Sequence, residues 1–434
     1  MRPLRLCVCM LLAAIGGAAL GADPPSKTGI DAPELARLGA FAVGFRTLEL
    51  VHAGQPDVLD RDPKTGVAPL RDRRLTVDLW YPAAATPGAA TVTYTATVSA
   101  ELPEAPRVTF SVPGLAVRDA KAVGSGHPLV IVSHGYGGAP AALTWLTENL
   151  ASKGYVVAAI HHEDPPYGDR SKFAGPVLRR PLDIAFVAAS LQSSLGAQGL
   201  VDPARTALVG YSMGSYGVLA AAGAALEPEL VKQVVGEVML PYARGGDQAD
   251  TIHVKGLRAV VALAASATAW GPNGAAAIKA PLLLIAGDHD HTIDYTTGTR
   301  AVFDKATGTQ RFLLTYKFGG HNIGFGPAPE SMQHDLWNLD WFEDPVWRKD
   351  RLIAINLHMI TAFFDRYVNG DESRAAYLDV PVADSSSGVW PAPGPARWAD
   401  LSSGTNGVTV WKGFQRGHAE GLELLQRAAQ TPAP

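Results

Sequence analysis

Two patterns of apolar residues alternate along positions 127–321. Short continuous apolar runs indicate strands buried on both faces, and segments with helical spacing separate them. The predicted strands cover residues 128–133, 155–160, 206–211, 257–264, 282–286 and 312–317. The predicted helices cover residues 140–153, 182–195, 213–225 and 348–367. Because strands that alternate with helices pair in parallel, we predict an α/β fold with a mostly parallel central sheet and helices on both faces.

The segments on either side of this core are more irregular. Residues 45–51 and 75–80 predict two antiparallel strands that precede the core, and the main domain is expected to span 41–370. Within it, residues 83–126 are rich in Thr, Ala, Pro and Gly and predict a β-type insertion. Residues 371–434 predict a C-terminal extension packed on the core, with a short strand at 408–411 and a final helix at 418–429.

The charge balance bears on possible partners. The chain has 37 Lys and Arg residues against 41 Asp and Glu residues, a net charge of −4. A near-neutral chain without a basic run gives no indication of a nucleic acid partner or of binding to an anionic membrane surface.

The first 22 residues have the pattern of a secretory signal peptide. Arg2 and Arg5 precede an apolar stretch at 6–20, and small residues at 19–22 offer a cleavage site. The apolar stretch is shorter than the roughly 20 residues that span a membrane, so we expect a secreted or periplasmic protein without a transmembrane segment after cleavage. The only cysteines, Cys7 and Cys9, lie in this stretch. The mature chain therefore has no disulfide, no thiolate nucleophile and no cysteine-ligated metal.

A nucleophile motif follows the predicted strand 206–211. Residues 210–214 read Gly-Tyr-Ser-Met-Gly, which fits G-x-S-x-G between a strand and a helix. In this turn the central serine adopts a strained backbone conformation, and side chains at the two flanking glycines would collide with neighbouring backbone. The motif predicts Ser212 as the nucleophile.

A second glycine-rich segment follows the strand 128–133. Residues 134–138 read His-Gly-Tyr-Gly-Gly, and a loop at this place supplies a backbone N–H to an oxyanion hole. We predict the amides of Tyr136 and Met213 as the two donors. His134 itself is interpreted as structural.

A serine nucleophile needs a base and an acid that orients the base. His321, in a Phe-Gly-Gly-His-Asn segment just past the last strand, is the predicted base. The acid is expected on the loop after the strand 282–286, which contains three candidates. We favour Asp290 over Asp288 and Asp294, because it lies a few residues beyond the strand end and the order serine, acid, histidine fits this class of site.

Other clusters have alternative interpretations. Residues 288–291 alternate Asp and His and, together with His161, His162 and Asp164, could be interpreted as a metal site. We favour the interpretation without a metal, and the chemistry expected of the serine site requires no cofactor. The aromatic segment 336–347 could form an apolar wall for a substrate or fasten the last helix to the core. Trp411 and Phe414 are interpreted as core anchors.

Taken together, these segments resemble the α/β-hydrolase superfamily, and within it the secreted bacterial proteins predicted to be dienelactone hydrolases and related to plasma platelet-activating-factor acetylhydrolases. The resemblance rests on the motifs at 43–47, 79–82, 133–138, 150–155 and 162–164, in addition to the serine motif. Tyr136 and Met213 also stand where polyester-degrading cutinase relatives have their oxyanion donors. True dienelactone hydrolases use a cysteine nucleophile, whereas this chain has Ser212.

The sequence therefore predicts an exported serine hydrolase of carboxylic esters, acting on a small or lipid-like ester through Ser212, His321 and Asp290. Two alternatives stay open. The same three residues could cleave an amide bond, or the chain could be a non-catalytic binding protein on a hydrolase scaffold.

Overall fold

The computed structural model describes residues 31–99, 107–165, 169–334, 336–389, 407–415 and 417–430. The predicted signal peptide, residues 1–22, lies outside these ranges. No helix in the described ranges is both long enough and apolar enough to cross a membrane.

One sheet of eleven strands runs through the described residues. The strands are β1 Ala42–Pro56, β2 Leu70–Ala83, β3 Thr91–Ser99, β4 Arg107–Arg118, β5 His127–Ser133, β6 Val156–Ile160, β7 Val201–Tyr211, β8 Leu257–Leu263, β9 Leu282–Gly287, β10 Arg311–Tyr316 and β11 Leu422–Arg427. Their order across the sheet is β11-β10-β9-β8-β7-β5-β6-β2-β1-β4-β3. The central strands from β6 to β10 pair in parallel. Their ends therefore meet at one edge of the sheet, where the loops that follow them come together.

Helices cover both faces of this sheet. They are α1 Thr144–Ser152, α2 Ala174–Ala197, α3 Met213–Ala221, α4 Pro228–Val235, α5 Thr299–Lys305, α6 Leu336–Asp340, α7 Lys349–Tyr367 and α8 Ala375–Leu378. One hydrophobic core contains residues of α1 and α7, and the core on the opposite face contains residues of α2, α3 and α5. Strands β5, β6, β9 and β10 are buried along their whole length, and β7 and β8 are buried in their second halves, which explains the continuous apolar runs. The predicted α/β fold is confirmed.

The N-terminal strands and the predicted insertion extend the same sheet. β1 and β2 form the expected antiparallel pair, and both are longer than predicted. Within residues 83–126, β3 and β4 form an antiparallel hairpin, and β4 joins β1 through Gly44 and Val117. A buried hydrogen-bond chain anchors the hairpin, since the Trp80 indole donates to the Tyr94 hydroxyl (2.7 Å), which donates to Glu148 (2.9 Å).

The C-terminal segment differs from the prediction. The predicted helix at 418–429 is wrong, because β11 forms there and pairs antiparallel with β10. Leu422 and Leu424 are buried whereas Glu423 is partly exposed, which is the two-residue period of a strand. Gly421 has a positive φ of 86° and separates the strand from the preceding turn. The predicted strand at 408–411 is also absent from the described residues, although Trp411 and Phe414 are buried as predicted.

Candidate active site

Ser212 occupies a sharp turn between β7 and α3. Its backbone has φ 54° and ψ −116°, a region that residues other than glycine rarely adopt. A Cβ on Gly214 would lie 2.0 Å from the carbonyl oxygen of Ser133, and a Cβ on Gly210 would lie 2.3 Å from that of Gly214. Only glycine fits at these two positions. The steric reason for the G-x-S-x-G pattern is therefore present in the structure.

His321 lies within hydrogen-bond distance of the serine. The loop that follows β10 places its Nε2 atom 3.0 Å from the Oγ of Ser212. The imidazole side chain is 16% exposed, so it is accessible from the sheet edge without being fully solvated. The two residues that the sequence predicts as nucleophile and base are thus brought together.

Asp290 contacts the other nitrogen of this imidazole. Its Oδ2 lies 2.7 Å from His321 Nδ1, and its Oδ1 accepts the backbone N–H groups of Thr292 and Ile293, both at 2.8 Å. The carboxylate is almost completely buried. With both oxygens engaged, the carboxylate holds the imidazole ring in one orientation.

The side chains of the two alternative acids, Asp288 and Asp294, form hydrogen bonds with other turns. Asp288 accepts the backbone N–H of Phe318 (2.6 Å) and contacts His289. Asp294 accepts the backbone N–H and the hydroxyl of Thr297. Among the described residues, Asp290 is the one of these three carboxylates that forms a hydrogen bond with His321, so the geometry favours it.

The glycine-rich loop 134–138 lies beside the serine. A Cβ on Gly135 would lie 3.5 Å from the Cβ of Ser212, so the loop backbone approaches the turn closely. Met213 is the first residue of α3, and the first amides of a helix have no acceptor within it. Tyr136 is buried, with its hydroxyl donating to the carbonyl oxygen of Asp169. Met213 therefore follows Ser212 directly in the chain, and Tyr136 follows Gly135, whose backbone approaches Ser212.

The structure gives no support for the metal interpretation. Within the described ranges, no group of three or more His, Cys, Asp or Glu residues has a geometry that could hold a metal ion. His161 contacts Asp78 (2.7 Å), His162 contacts Ser133 (2.9 Å) and His289 contacts Asp288 (2.7 Å). These histidines are engaged in separate local pairs.

Known proteins resemble this chain in sequence and in fold. A family described as "PETase: PET hydrolase-like" matches residues 119–236. The solved structure of a ferulic acid esterase from Streptomyces cinnamoneus is 24% identical, with a TM-score of 0.54, and the match covers 81% of this chain and 97% of that one. No protein of curated function matches. The chain has the α/β-hydrolase fold.

A buried arginine supports the loop 134–138. The guanidinium of Arg180, fully buried on α2, donates to the carbonyl oxygens of His134 (2.5 Å) and Gly135 (3.2 Å) and forms an ion pair with Asp164. Asp164 in turn accepts the backbone N–H of Gly137 (3.0 Å). The arginine and the carboxylate thus hold carbonyl and amide groups of one loop.

Two histidines line the same buried region. The His134 ring lies between the carbonyl oxygen of Gly135 (2.7 Å) and the backbone N–H of His162 (3.2 Å). Burial, together with the charge of Arg180, holds the pKa of both imidazoles well below the ordinary value. Both rings are therefore neutral near pH 7, which agrees with the interpretation of His134 as structural.

The loop that carries His321 has its own supports, which sequence reasoning missed. Asp344 accepts the backbone N–H of Gly320 (2.7 Å), and the buried Lys349 donates to the carbonyl oxygen of Asn322 (2.5 Å). Burial lowers the pKa of Lys349 to about 8. Lys349 begins α7, so this long helix holds the residue that follows His321, whereas Asp344, which precedes the helix, holds the residue before it.

The aromatic segment 336–347 packs largely into the core. Phe342 and Trp347 are buried, and the Trp347 indole donates to the carbonyl oxygen of Lys317 (2.8 Å). Trp341 is half-buried, with its ring 6.4 Å from that of Phe325. The side chain of Trp337 lies outside the described part. Of the two interpretations, fastening α7 to the core fits Phe342 and Trp347.

We predict that Arg180→Met strongly destabilises the protein. The change leaves the buried Asp164 without its cation, which costs about 3–5 kcal/mol in the free energy of unfolding. The double variant Arg180→Met/Asp164→Asn should recover part of this loss because no buried charge is then unpaired. Chemical denaturation measures both.

The matched control is Arg179→Met. Arg179 precedes Arg180 on the same helix and pairs with the partly exposed Asp57 (2.8 Å). An ion pair of this kind contributes about 0–1 kcal/mol. Equal losses for the two single variants, or no recovery in the double variant, would contradict the role assigned to the Arg180–Asp164 pair.

Proposed function

We propose that this chain is a serine hydrolase of carboxylic esters. The observation that carries the proposal is the hydrogen-bonded line from Ser212 Oγ to His321 Nε2 (3.0 Å) and from His321 Nδ1 to Asp290 (2.7 Å). The three groups come from loops that follow three different parallel strands, and the backbone of the loop 134–138 approaches Ser212. The names of the matched family and of the solved esterase support an ester as the substrate.

The first half of the reaction acylates the serine. His321 Nε2 accepts the proton of the Ser212 hydroxyl as Oγ attacks the ester carbonyl carbon. The buried Asp290 carboxylate keeps the Nδ1 proton of the ring directed towards itself and stabilises the positive charge that forms on the imidazole. His321 then gives its proton to the departing alkoxide, so an alcohol leaves and an acyl ester remains on Ser212.

The carbonyl oxygen becomes negative during this attack. The backbone N–H groups of Tyr136 and Met213 are the proposed donors to it, and a donor of this type lowers the barrier by about 3 kcal/mol. Met213 lies at the N-terminus of α3, where the helix dipole also favours negative charge. The Arg180–Asp164 pair keeps the Tyr136 segment in place.

The second half of the reaction restores the enzyme. A water molecule gives a proton to His321 and attacks the acyl carbon, and the carboxylic acid leaves as the proton returns to Ser212. Side chains and backbone amides of this chain are sufficient for each step.

Replacing Ser212 by Ala should abolish hydrolysis of short p-nitrophenyl esters, because no other group in the line can attack the carbonyl. The wild-type protein should also react with a fluorophosphonate at Ser212, as only an activated serine does. A folded wild-type protein that neither reacts nor hydrolyses any ester in a panel including ferulate esters and PET would favour the binding-protein alternative. Faster cleavage of matched amides than of esters would favour the amide alternative.

The two neighbouring carboxylates allow a sharper test. Asp290→Asn should lower kcat by about 10⁴-fold, because an amide favours the wrong tautomer of the imidazole. Asp288→Asn, which alters the turn at Phe318 but not the imidazole contact, is the matched control and should retain most of the activity. If the larger loss belongs to Asp288→Asn, the assignment of the acid is wrong.

We further propose that the protein is exported, on the basis of the basic, apolar and small-residue pattern of residues 1–22. Expression in a bacterial host should give a protein outside the cytoplasm that begins at or near residue 23, as read by N-terminal sequencing. Recovery of the uncleaved chain from the cytoplasm alone would contradict export.

A further inference from the structure

Among the residues that the structure describes, β3 is the last strand at one edge of the sheet. It pairs with β4 on one side. Over the described ranges, no backbone hydrogen bond joins another segment to its other side. Such an edge presents N–H and C=O groups that can pair with a further strand.

The sequence of β3 lacks the usual protection of an edge strand. Its nine residues read Thr-Val-Thr-Tyr-Thr-Ala-Thr-Val-Ser, without a charge, a proline or a glycine. The opposite edge of the sheet is different, because β11 carries Glu423 and Arg427 and is partly covered by the backbone of Ala383 and Asp384. Charges and covering segments are the common means by which proteins prevent edge pairing. The open edge at β3 therefore requires an explanation.

The order of residues in β3 is self-complementary. When two copies run antiparallel with Thr95 opposite Thr95, Thr93 faces Thr97, Val92 faces Val98 and Tyr94 faces Ala96. All nine positions are paired in this register. A shift by one residue would place threonines opposite the buried residues, and a shift by two would leave positions at the ends unpaired.

The burial of the strand agrees with this register. Val92, Tyr94 and Val98 are buried on the core side, whereas Thr93, Thr95 and Thr97 are exposed on the other side. Directly opposed residues of antiparallel strands have their side chains on the same face. Pairing about Thr95 therefore continues the apolar face of one copy into that of the other and keeps the threonines in solvent.

We propose that β3 is a dimer interface, in which two copies of this chain pair antiparallel about Thr95 and their two sheets join into one. The pairing runs along about 30 Å of strand, at roughly 3.4 Å per residue. A second copy fits this edge better than a foreign peptide, because β-addition of a peptide draws its specificity from side-chain pockets, whereas the exposed face here is a row of threonines.

The first test is the mass of the wild-type protein in solution. Sedimentation velocity over a range from low to high micromolar concentration should show a monomer–dimer equilibrium. A monomer at every concentration would overturn the proposal, and so would a trimer or a higher assembly as the main species.

The second test uses the two-fold axis through Thr95. Thr95→Lys places two ammonium groups opposite each other across the axis, and like charges directly opposite destabilise strand pairing, so the variant should be monomeric. Thr95→Glu should be monomeric for the same reason. An equal mixture of the two variants should dimerise again, because each lysine then faces a glutamate. A mixture that stays monomeric would overturn the assigned register.

The matched control is Thr109→Lys. Thr109 is exposed on the same face but lies on β4, where it pairs with Thr97 (2.8 Å between hydroxyl oxygens). This variant should remain dimeric. All three variants should keep the circular dichroism, thermal unfolding and ester turnover of the wild type, which shows that they fold. Dissociation by Thr109→Lys to the same extent as by Thr95→Lys would place the interface elsewhere and contradict the proposal.

Discussion

The turn at Ser212 is held in a left-handed conformation that a serine adopts only under constraint. β7 and α3 meet there, and Gly210 and Gly214 allow the backbone of the turn to lie against that of Ser133. The serine amide donates to the carbonyl oxygen of Leu263 on the neighbouring β8 (2.9 Å). The strain is thus balanced by contacts with the strands on both sides, and the hydroxyl, the histidine loop and the loop 134–138 are all positioned relative to this turn.

Buried charged side chains position the loops that surround this turn. The ion pair of Arg180 and Asp164 is hydrogen-bonded to the backbone of the loop 134–138, and Asp290 is hydrogen-bonded to the imidazole of His321. A buried charge is costly unless it is paired and hydrogen-bonded, so each of these groups has a strongly preferred arrangement. The proposed oxyanion donors depend on this arrangement, because donors that are already in place need no reorganisation when charge develops on the substrate.

Sequence reasoning recovered the parts of the structure that local patterns determine. The five residues 210–214 are enough to predict the sharp turn at Ser212 and the steric need for its two glycines. The buried apolar runs predict β9 and β10, and therefore also the position of the loops that come after them. Arg180 was missed because the predicted helix begins at residue 182, just after Pro181, whereas α2 begins at Ala174 and places Arg180 on its buried face, four residues before the buried Ile184. The segment that forms β11 was predicted as a helix. It is a strand because it pairs with the edge of β10, and β10 is too distant in sequence for a local pattern to show this pairing.

The central claim of this account is that Ser212 carries the acyl group during turnover. The most direct measurement is acid quenching of a reaction with an activated ester during its first turnover, followed by digestion and mass spectrometry of the peptides. The account predicts an acyl adduct on Ser212, formed together with a stoichiometric burst of the alcohol product. An adduct on another residue, or a full burst without any adduct on Ser212, would contradict it.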